Sequence, residues 1–469
     1  MVFSSLYFLY LFLPLTVLLY FATPKKGRCF TLLLCSLVFF AWGELKYLLL
    51  MLFTITVDYA AGLVIGLLRK KERPKKFEKL TLLLAVIVNL GLLGLFKYAD
   101  FFLGTVNGIF GTSVPLLKLA LPLGISFYTF QALSYVIDVY KGQCSVQKSY
   151  IKFAMYITMF PQLIAGPIVR YTDVEAQMDD RSADPQKIAR GIRRFLVGLG
   201  KKVLLANTAG ALFDSLHAYG DGLSSLGAIL MALCYTFQIY FDFSGYSDMA
   251  IGLGDVFGFD FPENFRYPYE ANSITDFWRR WHITLSTFFR EYVYIPLGGS
   301  RCGKPRQILN LLIVWALTGF WHGAGWTFIL WGLYFFVLLT LEKTFLLRLL
   351  DKAPKFVGHL YALVFIVLGW VIFSAESVGD IGGFFACLFG KNGFADDISL
   401  YYLLHNILPL LLFAVGATRL PSFLAKKLDS RLHENASFAV QTVGCAAVLL
   451  LSTAFLAGDG YNPFLYFRF

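Results

Sequence analysis

Ten stretches of this chain are apolar over a length that suits a lipid bilayer: residues 5–21, 29–43, 45–68, 80–97, 116–138, 226–250, 326–341, 358–374, 402–417 and 437–456. A helix crossing the hydrocarbon needs about 20 such residues, and in that medium every backbone N–H and C=O must be paired within its own segment, which a helix achieves. Three further segments, 149–166, 195–214 and 308–320, are shorter or more interrupted. A soluble fold is excluded by composition. Hydrophobic residues make up 57% of the 469, and charged residues only 15%, against about 25% in soluble domains. The expected fold is an all-α polytopic membrane protein with about 10–13 transmembrane or re-entrant helices. Its first run precedes Lys25 and Lys26 rather than following a basic segment. That order is wrong for a cleavable signal peptide, so the run reads as a first spanning helix.

The net charge of +11 matters here by location rather than by sum, and it does not indicate nucleic acid. Arg69–Lys79 carries seven Lys/Arg against Glu72 and Glu78, which makes it cytoplasmic by the positive-inside rule. Counting back puts residues 22–28 inside and the N-terminus outside. The basic segments 342–356 and 418–433 fall inside, the acidic segment 375–401 outside, and the C-terminus outside. Three regions follow: N-terminal transmembrane helices (1–138), a polar, Pro- and Gly-rich core with re-entrant and interfacial segments (139–347), and C-terminal transmembrane helices (348–469). Within the core, Arg190, Arg193, Arg194, Lys201 and Lys202 surround an apolar stripe, the pattern of an amphipathic helix lying on the inner membrane surface. The seven cysteines are scattered without a C-x-x-C pair, so neither a disulfide framework nor a zinc site is expected, and no metal is required.

Of the six histidines, two stand in unusual surroundings. His322 lies in Leu317-Thr-Gly-Phe-Trp-His-Gly-Ala-Gly-Trp326, between apolar runs whose outer flanks, at Arg306 and Lys343, are both cytoplasmic. The chain must turn back near His322. If Gln307–His322 is helical, about 15 residues at ~1.5 Å each carry the imidazole roughly 22 Å inward. An ionisable group at that depth is a functional candidate by default, and imidazole suits proton transfer near neutral pH. The structural alternative is a histidine bonded to a carbonyl that holds a helix break. His282 lies among Arg279, Arg280, Trp281 and Arg290, an aromatic and basic surface suited to an anionic phosphate-bearing cofactor or to an ordinary interfacial belt. Asp242 and Ser244, in Tyr240-Phe-Asp-Phe-Ser-Gly-Tyr-Ser-Asp248, interrupt a strongly apolar run. Such a carboxylate must be paired, with a histidine or with a basic residue. Phe160–Pro167 reads as a bend whose role is shape. No phosphate-binding glycine loop follows a strand, which argues against nucleotide hydrolysis.

Taken together and in order, Phe160–Tyr171, Tyr240–Asp248, Pro262–Tyr269, Asp276–Arg301 and Leu317–Tyr334 resemble the membrane-bound O-acyltransferase family. The resemblance is strongest to its bacterial alginate O-acetyltransferase branch, with the D-alanine exporter of teichoic acid as a related plan. It covers nearly the whole chain. It implies helices around a central tunnel with a funnel from each face, His322 as the essential histidine and His282 as a second recurrent polar position. It also implies a cytoplasmic acyl thioester such as acetyl-CoA as donor substrate, with no bound cofactor. The acceptor would be an extracytoplasmic cell-surface polysaccharide, often reached through an esterase-like partner protein, and the location a bacterial inner membrane. Under this expectation His322 is the general base, with a nucleophile that carries the acetyl itself as the alternative, and His282 orients the thioester or stabilises its oxyanion. Arg279, Arg280, Arg290, Trp281, Trp321, Asp242 and Ser244 complete the expected site. The competing readings are D-alanyl or other acyl export to teichoic acid or peptidoglycan, a polar-solute transporter with His322 as relay, and a scaffold indifferent to both histidines.

Overall fold

The computed structural model describes residues 2–181 and 184–458 together with Phe464 and Leu465. Among these residues there are helices and connections but no strand. The expectation that both termini lie outside falls on Met1 and residues 466–469, beyond the described residues. Thirteen principal helical segments follow one another. They are α1 (Phe8–Ala22), α2 (Arg28–Glu44), α3 (Leu48–Lys70), α4 (Lys75–Phe110), α5 (Ile125–Lys141), α6 (Tyr150–Thr158) and α7 (Pro185–His217). Then come α8 (Ser225–Phe257), α9 (Lys304–His322), α10 (Trp326–Leu350), α11 (Lys355–Ser374), α12 (Asp397–His405 and Ile407–Gly416, bent by 60°) and α13 (Glu434–Gly458).

Seven helical stretches among the described residues are long and apolar enough to cross a membrane, or eight with the bent pair, α2 and α3 counting as one continuous stretch. The remaining apolar segments are shorter, broken or internal. Phe438, Val443 and Leu450 of α13 are 67%, 68% and 69% exposed, a surface that only lipid covers favourably. The protein is a membrane-embedded, multi-span, all-α molecule.

The chain divides into two compact units, Met1–Phe195 with Met249–Pro262, and Leu196–Asp248 with Glu263–Phe469. In the first, Phe160 is fully buried and meets Phe12, Phe39 and Phe257 at ring distances of 5.4, 5.5 and 5.8 Å. The expected bend lies here. Helix α6 stops at Met159 (ψ 110°) and Phe160–Leu163 makes one buried turn. Residues 116–124, expected as the start of a spanning helix, are not helical; the Asp100 carboxylate instead accepts the backbone N–H groups of Leu117 and Lys118 at 2.7 and 2.8 Å. The helix begins at Ile125 and is buried from Ile125 to Val136 on every face, its polar Ser126, Thr129, Gln131 and Ser134 included.

Arg190–Lys202 belongs to α7, whose continuous helical stretch to His217 is long and apolar enough to cross a membrane. Arg190, Lys201 and Lys202 face carboxylates. Within the first unit Arg190 pairs with Asp255 at 2.9 Å. Within the second, Lys201 pairs with Asp248 at 2.7 Å and Lys202 with Asp242 at 2.6 Å.

Candidate active site

All the chemistry expected of the site falls in the second unit. Helices α9 and α10 form a hairpin through Gly323–Gly325. It closes at backbone contact: a Cβ on Gly319 would lie 2.4 Å from the Phe328 carbonyl oxygen, and one on Gly332 2.4 Å from that of Trp315. Only glycine permits this approach. The hairpin delivers His322, 4% exposed, as the last residue of α9, about 27 Å along the helix from Lys304 at ~1.5 Å per residue. Its imidazole is enclosed by rings: Trp331 at 5.0 Å and 82°, Phe373 at 5.2 Å and 83°, and its neighbour Trp321 at 5.0 Å and 74°.

His282 is built differently. It stands between the short helices Ile274–Trp278 and Ile283–Phe289 with φ 44° and ψ 54°, in the left-handed region. For a non-glycine residue that conformation costs on the order of 1–3 kcal/mol, held by surrounding structure. Asn264 holds it. Its carbonyl oxygen accepts from Ile283 N at 3.0 Å, and its side-chain Oδ1 accepts from Thr284 N at 3.3 Å and Thr284 Oγ1 at 3.0 Å. Asn264 Nδ2 donates to Ser247 Oγ at 3.1 Å. Because a backbone N–H already points at Oδ1, that atom is the oxygen, and His282 Nδ1, 3.0 Å away, must donate to it. The tautomer is thereby fixed. Nε2 carries the lone pair and is buried with no hydrogen-bond partner among the described residues.

This assignment corrects one expected role. A bare lone pair cannot stabilise an oxyanion; it accepts a hydrogen bond. Burial reinforces the point by pushing the His282 pKa from its ordinary 6.5 down to about 3. In the unfolded chain the ring protonates as pH falls through about 6.5, whereas the folded site refuses the proton until about 3. Stability is therefore expected to fall as pH drops through that window. Thermal unfolding of the detergent-purified protein from pH 7 to pH 4 should show the loss, and His282→Gln should flatten it. Equal slopes in the two proteins would mean that His282 contributes nothing to the acid limb.

A cavity of about 280 Å³ includes His282 in its lining. Arg279, Arg290 and Lys343 line it and are exposed; Trp278, Leu311 and Trp315 form apolar walls; Thr318, one turn before His322, and His282 are buried lining residues. Lys343 Nζ sits 5.6 Å over the Tyr294 ring. Neither Arg279 nor Lys343 has a carboxylate partner among the described residues, whereas Arg290 pairs with Glu291 at 2.9 Å. The helix carrying Trp278 is clamped by buried Glu342, whose carboxylate accepts Ile274 N at 2.6 Å and Thr275 N at 2.8 Å.

The two histidines are brought together around Trp321, whose ring is 6.1 Å from His282 and 5.0 Å from His322. Arg280 turns away to Asp276 at 2.9 Å, and Trp281 packs on Trp370 at 4.6 Å; neither lines the cavity. Asp242 takes the basic-residue alternative, bound to Lys202. Ser244 is buried beside Phe243, its Oγ without a hydrogen-bond partner among the described residues. A second cavity of about 110 Å³, lined by His217, Val371 and Ser374, lies at the far end of α11. His322 lines neither cavity. Asn264, Glu342, Lys343 and Tyr294 were not among the expected site residues. A buried Asn 18 positions before His282, and a Glu-Lys pair ending an apolar helix, were the signals available.

An all-helical membrane enzyme with two buried histidines, served by a basic-mouthed cavity, is the class that this fold and site define. The chain belongs to the membrane-bound O-acyltransferase family, whose model matches residues 143–379. It is an acyltransferase. It is 39% identical to a probable alginate O-acetylase of Azotobacter vinelandii, over the whole of both chains. It is 35% identical to a peptidoglycan O-acetyltransferase of Helicobacter pylori, over all of this chain and 98% of the other. A teichoic acid D-alanyltransferase of Bacillus subtilis is 29% identical over 48% of this chain and 59% of its own.

Proposed function

We propose that this protein moves an acetyl group from a cytoplasmic thioester, acetyl-CoA or a similar donor, across the bacterial inner membrane to hydroxyls of a cell-surface polysaccharide. The carrying observation is the cavity whose lining combines exposed Arg279, Arg290 and Lys343 with buried His282. Two cations without carboxylate partners fit a donor's phosphates, and the apolar walls fit its extended thiol-bearing arm. His282 Nε2, able only to accept, takes a hydrogen bond from an amide N–H of that arm and so orients the thioester. His322 removes the proton as the acceptor hydroxyl attacks the carbonyl carbon. The C–S bond breaks, the thiolate leaves and takes up a proton, and the new ester forms. An esterase-like partner on the outer face receives the acetyl group or presents the polymer. The whole-length likeness to an alginate and a peptidoglycan O-acetylase supports acetyl as the group and glycan hydroxyls as its destination.

In inside-out vesicles from the producing strain, [14C]acetyl-CoA added to the exposed cytoplasmic face should label polymer in the lumen. Arg279→Gln and Lys343→Gln should each raise the donor KM about tenfold, the effect of losing ~1.4 kcal/mol of uniform binding, with kcat little changed. An unchanged KM in both variants would remove this cavity from donor binding.

A further inference from the structure

Two residues near the end of the sequence lie inside the acyltransferase core. Phe464 and Leu465 are 3% and 6% exposed. The Leu465 backbone N–H donates to Asp242 Oδ2 at 2.7 Å, in a buried bond between positions 223 residues apart. The other oxygen of that carboxylate holds Lys202 at 2.6 Å. The Phe464 ring packs 5.8 Å from Phe243 and 5.1 Å from Tyr246. Phe243 in turn stands edge-on to His282, at 4.6 Å and 82°.

We infer that Phe464–Leu465 is a latch that positions His282, acting through Phe243 and Asp242. The ring of His282 is tied at Nδ1 by Asn264, but its backbone is in a strained turn and its face rests on Phe243. Phe464 backs Phe243, and the Leu465 N–H fixes the residue before it in sequence, Asp242. Close-packed interiors transmit such support, and a gap opened behind a ring forfeits it. Phe464 and Leu465 are thus positioning residues. The inference rests on His282 belonging to the transfer site.

The test measures acetyl transfer from [14C]acetyl-CoA in the same vesicles, using the full chain. Phe464→Ala should lower kcat about tenfold or more, because small misplacement of an orienting group is costly. The donor KM should stay within about twofold, and Phe464→Leu should restore at least half of the wild-type kcat. Wild-type kcat in Phe464→Ala overturns the latch. If His282→Ala is then inactive, the transfer reading survives; if His282→Ala is also active, that reading fails instead. Should Phe464→Ala lose its monodisperse elution in detergent, Leu465→Pro, which deletes the N–H donated to Asp242, is judged by the same kcat and KM criteria. Misfolding of both makes the segment scaffolding and overturns the proposal.

Discussion

Replacing His322 by Ala should abolish alkali-labile acetate on the cell-surface polymer when the variant is the only copy expressed, at membrane levels equal to wild type. A positioned general base contributes about 10²–10⁴-fold, so a residue of that kind leaves acetylation below detection in a whole-cell assay. The surroundings leave little room for compensation. His322 is enclosed by Trp321, Trp331 and Phe373, rings that cannot take over its proton. Full restoration of acetate by a well-expressed His322→Ala would make this histidine a structural element of the helix hairpin. It would also favour transport or scaffolding over acyl transfer as the basis of its role.

The second large effect is on stability. Lys202 and Asp242 are 4% and 2% exposed and 2.6 Å apart. Lys202→Met leaves a buried carboxylate without its counter-charge, which costs about 3–5 kcal/mol. The double variant Lys202→Met, Asp242→Leu should recover most of that loss, since replacing a whole buried pair by apolar side chains is often neutral. Recovery should be incomplete by roughly 1–3 kcal/mol, because the Leu465 N–H would then lack its acceptor. Thermal unfolding of the three proteins in one detergent measures both differences. A single variant as stable as wild type would mean that the Lys202–Asp242 pair contributes no net stability.

How far these features were legible before the fold was known follows from the range of each interaction. Hydropathy runs gave several helices within a few residues, as at α2, α3 and α11. They failed at 116–124, where an apolar run lacks helix because Asp100 captures its backbone N–H groups from a distance. They could not supply the carboxylate partners of Arg190, Lys201 and Lys202, which the basic face of that helix meets only in the fold. Those partners, Asp242, Asp248 and Asp255, lie 40 to 65 residues further along the chain. His322 stood out in sequence because a Gly-rich break between two apolar runs is itself a local signal. The separation of Arg279 from Arg280 was not readable, since both lie in the turn that follows the short helix ending at Trp278, where no helical period sets direction. One faces the cavity; the other faces Asp276.

The sequence by itself determined that the chain is helical and membrane-embedded and where its apolar segments fall. Those properties are sums over neighbouring residues, fixed by the cost of exposing backbone and charge to lipid. Its motifs determined the family in the same local way. The tertiary structure alone decided that His282 is a neutral acceptor rather than a donor, that Lys343 shares a cavity with Arg279, and that Phe464 and Leu465 reach the site. Each of these depends on a single hydrogen bond, ring contact or shared surface between residues distant in the chain, and no local average over the sequence contains it.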